Sequence, residues 1–286
     1  MWELLAVGSA FFAGLTAILA KCGLKGVDST VATAFRTIVV LIFAWIVVFI
    51  AGSVQYIQNI DGRTWIFLIL SGLATGASWL CYYKALQMGD VNKVVPIDKS
   101  STVLTIILAA IIFGEWLSWI GIIGAVLIGI GTLMMIEKRE VENISDRNNI
   151  WLLFAIGSAV FAALTSILGK IGIEGVESNL GTAIRTVVVL AMSWMMVFVM
   201  KKGGDIRNIG RRDAGFLILS GLATGASWLC FFRALQEGPA SVVVPIDKLS
   251  ILVTIAFSFI VFKERLSKKS FIGLVGIVAG TLMLLI

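Results

Sequence analysis

The chain has 286 residues, of which 59% are hydrophobic and only 14% charged, with a formal net charge of +6 and no histidine. Its mean hydropathy is +1.00, whereas soluble domains average about half apolar and about a quarter charged, so a soluble globular protein is excluded. The missing histidine excludes H-E-x-x-H metal sites and any Ser-His or Cys-His nucleophile pair.

A spanning helix needs roughly 20 predominantly apolar residues, because about 30 Å of hydrocarbon is crossed at about 1.5 Å per residue. Ten such stretches follow one another: Trp2 to Ala20, Val31 to Ala51, Trp65 to Tyr83, Val94 to Phe113, Leu117 to Ile136, Trp151 to Gly169, Leu180 to Met200, Ala214 to Phe232, Val243 to Phe262 and Phe271 to Ile286. The first lacks a basic start and an A-x-A-like cleavage site, and its pattern recurs at Trp151, so it reads as a mature helix. Cys22, Cys81 and Cys230 have no metal or disulfide spacing and read as small packing residues. The polar run Glu137 to Asn149 divides the chain into a repeat over 1–137, a linker over 138–149 and a second repeat over 150–286. The Asn143-Ile-Ser145 sequon in it reads as chance.

The repeat is the strongest signal. Ser71-Gly-Leu-Ala-Thr-Gly-Ala-Ser-Trp-Leu-Cys81 returns verbatim at Ser220 to Cys230, and Pro96-Ile-Asp-Lys99 returns at Pro245 to Lys248, both at an offset of 149 residues that also relates Arg36 to Arg185. A period this long is a duplicated domain rather than a solenoid. Five helices is an odd number, so a second copy joined by a short polar linker enters the membrane the other way up. The expected fold is all-α: ten transmembrane helices as two inverted five-helix repeats.

Charges test the topology independently. Sixteen Lys and Arg fall in connections on one side, against three (Arg63, Lys170 and Arg233) on the other. The positive-inside rule puts the crowded side in the cytoplasm and both termini outside. Equivalent loops carry opposite habits: Gly52 and Ser53 align with Lys201 and Lys202, and Lys25 and Lys93 with Glu174 and Val242. The net positive charge is thereby explained by topology, with no nucleic-acid partner implied.

Inverted repeats with a site near the midplane are a recurrent plan of secondary transporters. Ten helices as five plus five, with a Glu after the fourth helix of each half in Phe113-Gly-Glu-Trp-Leu-Ser118 and Phe262-Lys-Glu-Arg-Leu-Ser267, resemble the drug/metabolite transporter superfamily, in particular its EamA-type members. The resemblance implies a central cavity and export or exchange of a small-molecule solute, without naming it.

A charge inside a span costs roughly 2.5 to 3.5 kcal/mol on insertion scales, which makes Arg36, Arg185, Asp98, Lys99, Asp247 and Lys248 functional candidates. The structural alternative places Asp98 in the first turn or two after a helix-opening Pro96, favoured by the helix dipole, with Lys99 and the arginines snorkelling to the interface. On the third helix, Thr75, Ser78, Trp79 and Tyr82 share one face by i, i+3, i+4, i+7 spacing, and Thr224, Ser227 and Trp228 repeat it. That face suits a cavity lining, with an aromatic interfacial belt as the alternative for Tyr82 and Tyr83. Gly72 and Gly76, with Gly221 and Gly225, allow close helix approach, and the Gly-rich fifth helices read as packing or dimer surfaces.

No cofactor or metal site is expected, and no enzyme. Without a G-x-x-x-x-G-K-[ST] loop there is no built-in ATP drive, so pumping uses an ion gradient or exchange. No ring of like charges supports a channel. The expectation is therefore a secondary transporter of small polar anionic or zwitterionic metabolites working by alternating access, with a lipid or lipid-linked sugar flippase as the alternative. A monomer suffices for transport and a homodimer is allowed. Short loops favour a prokaryotic inner membrane. Phosphatase and fluorescent-protein fusions at Ile286 are expected to be phosphatase-active and dark; a fluorescent, phosphatase-inactive fusion contradicts this topology.

Overall fold

A computed structural model describes residues 1–23, 27–88, 91–135, 150–263 and 267–286. Within them the regular elements are helical: α1 (Trp2–Gly23), α2 (Ser29–Ile50), α3 (Gly62–Met88), α4 (Val91–Lys99), α5 (Ser101–Phe113), α6 (Trp119–Met134), α7 (Ile150–Ile173), α8 (Ser178–Val199), α9 (Arg211–Glu237), α10 (Ala240–Lys248), α11 (Ser250–Phe262) and α12 (Lys268–Met283), with 3-10 turns at Ser53–Asn59 and Gly203–Asn208. The linker from Glu137 to Asn149, and Glu264 to Leu266 of the second Glu motif, lie outside the described residues.

Among the described residues, seven helical stretches are long and apolar enough to cross a membrane: α1, α2, α3, α7, α8, α9 and the run Ala240–Ile260, which takes in α10 and most of α11. The span expected from Val94 to Phe113 is not one helix. It breaks at Ser100, whose Oγ and N–H both donate to Ile97 O, at 2.6 and 3.2 Å. The repeat breaks at the same place, with Leu249 N–H donating to Ile246 O at 2.9 Å. Hydropathy cannot see such a break, because the chain is apolar on both sides. The break corrects the position of the Asp-Lys pairs. Pro96 and Pro245 lie inside α4 and α10 rather than opening them, and Asp98–Lys99 and Asp247–Lys248 occupy the last turns. Each Asp and each Lys thus lies in the last turn of its helix, where the helix dipole favours the lysine but not the carboxylate.

Local signals recur at the repeat offset. Asp28 Oδ1 caps α2 by accepting from Thr30 N–H at 2.9 Å, and Glu177 caps α8 through Asn179 and Leu180 N–H at 3.1 and 3.0 Å. Ser118 and Ser267 cap α6 and α12. Burial alone would raise the Asp28 carboxyl, but Lys202, 3.1 Å away, and the Thr30 N–H outweigh it and hold it below the ordinary Asp value. A depressed carboxyl contributes stability above its unfolded pKa and loses it as pH falls through the folded value.

The helices form two compact packing units, and each draws on both sequence repeats. One contains Met1–Gly76, Leu168–Gly238 and Ile246–Glu264; in it α1 packs on α9 and α11, and α2 on α8 and α9. The other contains Ala77–Ile167, Pro239–Pro245 and Arg265–Ile286, with α6 on α12. There a Cβ at Gly124 would lie 2.6 Å from Gly280 O, and one at Gly131 2.5 Å from Gly273 O, so the glycines of the fifth apolar stretches serve intrachain packing.

Left-handed helix ends expose a difference between the copies. Gly52 and Gly114 adopt φ of 68°, and their repeat partners Lys201 and Lys263 adopt 55°. A side chain in this region costs roughly 1–2 kcal/mol relative to glycine, yet both second-copy positions carry a lysine. Lys263→Gly is expected to raise the melting temperature in detergent by a few degrees; an unchanged or lower value contradicts the strain.

Candidate functional site

Arg185 is the most confined charge among the described residues. It sits two turns into α8, only 2% exposed. Its Nε donates to Ser71 Oγ at 2.9 Å and its Nη2 to Thr75 Oγ1 at 2.5 Å. The guanidinium carbon lies 5.1 Å from the Trp228 ring centroid and 4.5 Å from that of Phe232. Gly169 makes room for this stack, since a Cβ there would meet Phe232 Cε1 at 2.6 Å and Ser71 Oγ at 3.1 Å. Nη1 is buried with no hydrogen-bond partner. A buried cation normally finds an anion, because desolvation costs several kcal/mol per ion. Here its partners among the described residues are hydroxyls and ring faces, which supply dipole and cation–π stabilisation. One donor is left over.

The repeat partner Arg36, two turns into α2, is only half-buried, and its Nη1 reaches Ser220 Oγ at 3.4 Å. Ser220 is the partner of Ser71, so the two arginines address equivalent hydroxyls of the opposite repeat. Backbone packing follows the same rule. A Cβ at Gly72 would lie 2.7 Å from Val188 Cβ and 3.1 Å from Arg185 O, and one at Gly221 2.7 Å from Val39 Cβ and 3.0 Å from Arg36 O.

The carboxylates are held crosswise too. Ser9 Oγ donates to Asp247 Oδ1 at 2.6 Å and lies 3.2 Å from Ser227 Oγ. Thr16 and Thr224 Oγ1 meet at 3.3 Å in the same unit. In the other unit Ser158 Oγ donates to Asp98 Oδ1 at 2.5 Å, and Ser78 Oγ to Ser158 O at 3.1 Å. Lys99 Nζ lies 3.7 Å from Asp98 Oδ2 with its side chain 52% exposed, and Lys248 is exposed. Tyr82 packs on the cluster of Ala85, Val94, Trp151 and Ala155, and Trp79 is half-buried.

One unit therefore brings together Arg185, Thr75 and Trp228, and also holds Arg36, Thr224, Ser227 and Asp247; the other holds Ser78, Trp79, Tyr82, Asp98 and Lys99. Sequence reasoning missed Ser9, Ser158 and Phe232. The available signal for the serines was an identical Gly-Ser-Ala triplet at Gly8 and Gly157, at the repeat offset.

The EamA-like transporter family profile matches residues 1–137 and 149–286. A Sinorhizobium sp. protein described as an uncharacterized transporter in the cobO 3' region is 44% identical over 134 residues, 95% of that protein and 47% of this chain. That relative is thus about the length of one repeat. An Archaeoglobus fulgidus uncharacterized transporter is 24% identical over 232 residues, 79% of this chain and 78% of that one. A solved crystal structure superposes with a TM-score of 0.81 at 16% identity, covering 99% of this chain and 95% of that one, a likeness of fold. Because the Arg185 stack depends on the space at Gly169, Gly169→Ala is expected to cost about 1–3 kcal/mol, seen as a lower melting temperature in detergent; unchanged melting contradicts the tight packing.

Proposed function

Since this chain belongs to the EamA-like transporter family of the drug/metabolite transporter superfamily, we propose that it is a secondary active carrier that exports or exchanges small anionic or zwitterionic metabolites. The single observation that supports this solute class is the buried Arg185 guanidinium with an unused Nη1 and no carboxylate on it among the described residues. A planar fork with a free donor suits a carboxylate or phosphate, and such a contact gains strength where water is excluded.

In this reading the ten apolar stretches are ten spans, five in each orientation, in a prokaryotic inner membrane with both termini outside. The two repeats exchange roles to open either side. Arg185, and Arg36 in turn, grip the solute. Asp98 and Asp247, fixed by Ser158 and Ser9, set the charge at the helix breaks, and Lys99 and Lys248 compensate it or couple protons. Trp228 with the hydroxyls of Thr75, Thr224 and Ser227 in one unit, and Trp79 with Ser78 and the phenol of Tyr82 in the other, are the proposed lining residues. A repeat-length relative supports assembly from two copies of one unit.

The test is counterflow in proteoliposomes, with and without a pH gradient, using labelled acidic and neutral amino acids and sugar phosphates against tetraphenylphosphonium. At least one of the small anions or zwitterions is expected to exchange. For that solute, the Lys99→Met, Lys248→Met double variant is expected to lose about tenfold in rate, or 1.4 kcal/mol. Preference for the lipophilic cation, or an unaltered rate in the double variant, overturns the assignment.

A further inference from the structure

The Glu that follows the fourth apolar stretch takes no part in the site above, yet it makes a definite contact. Gly114, in the left-handed conformation with φ of 68°, ends α5 and turns the chain so that Glu115 faces inward, half-buried. The Glu115 carboxylate accepts from the backbone N–H of Ala240 at 3.0 Å and of Ser241 at 2.8 Å, the first two residues of α10. Both residues are buried, at 0% and 2% exposure, so water does not reach them readily.

α10 needs such a partner. It has nine residues, and Pro245 in its interior removes one of its few hydrogen bonds. The residue before its first turn is Pro239, whose carbonyl accepts from Val242 and Val243 N–H at 3.1 and 2.9 Å. That makes Pro239 the N-cap, and neither it nor Gly238 carries a side-chain acceptor for the first N–H groups. A carboxylate from the other repeat supplies it, with the added attraction of the helix dipole. At its far end α10 carries Asp247 and Lys248.

We propose that Glu115 is a positioning residue for α10, a capping group lent by the first repeat that fixes the short broken helix and so places Asp247 and Lys248 for transport. It acts through α10 and does not touch the solute. The transport half of this inference rests on the carrier reading above, whereas the capping half does not.

The test exploits the missing local cap. Hydrogen–deuterium exchange of the full chain in detergent is followed over residues 240–247, alongside counterflow of whichever amino acid or sugar phosphate exchanges best. Glu115→Ala is expected to speed exchange there at least about tenfold and to slow counterflow. Adding Pro239→Asp, which supplies an acceptor from the chain itself, is expected to restore the protection and return the rate to within about twofold. A role confined to the α5–α6 turn would not be rescued from Pro239. Should Glu115→Ala fail to fold, the near-isosteric Glu115→Gln takes its place, with a smaller increase expected because the charge is lost. Unchanged exchange over 240–247, or an increase that Pro239→Asp does not reverse, overturns the proposal. If exchange behaves as expected but no small anion or zwitterion moves, the capping stands and the carrier reading falls.

Discussion

In hydrocarbon a polar group has no water to fall back on, so each ion and hydroxyl of a membrane helix must be satisfied from within the protein. In this chain several of these groups find their partners across the duplication. Ser9 of the first repeat serves Asp247 of the second, and Ser158 of the second serves Asp98 of the first. Arg36 turns to Ser220, and Arg185 to Ser71. Glu115 completes the start of α10. A single repeat would lack these particular contacts, and each packing unit contains pieces of both repeats.

Equivalent residues do not have equivalent surroundings. Arg185 is enclosed by two hydroxyls and two rings, whereas Arg36 is half-buried with a long contact to Ser220. Ser227 shares the Ser9 hydroxyl, but its partner Ser78 donates to a backbone carbonyl instead. Under the proposed exchange of roles between repeats, each copy would adopt both environments in turn. The glycines Gly72 and Gly221 keep the same close approach in both copies.

The extent to which the sequence disclosed this arrangement follows from what each signal measures. Hydropathy located α1, α2, α3, α7, α8 and α9, because length and apolarity are what it reads. It missed the breaks after Lys99 and Lys248, because a Pro inside an apolar run does not say whether a helix starts there or ends four residues on. The ionic candidates were legible from the cost of charge in a span. Their partners were not: a lone serine in an apolar helix is common, and only the coincidence of Ser9 with Ser158 distinguished it. Phe232 was hidden because its counterpart is Tyr83, so neither looked like one wall of an arginine site. Glu115 was visible as a motif without a role, since its contact lies 125 residues away.

The central claim is that Arg185 holds an anion within the membrane. Ligand-dependent melting of the purified chain in detergent tests it most directly, because a ligand that binds only the folded state stabilises it in proportion to the logarithm of its concentration over Kd. Small carboxylates or phosphates are expected to raise the melting temperature in a saturable way, and Arg185→Lys, which keeps the charge but loses the planar fork, is expected to abolish most of that shift. Stabilisation by organic cations instead, or an anion shift undiminished in Arg185→Lys, would contradict the account.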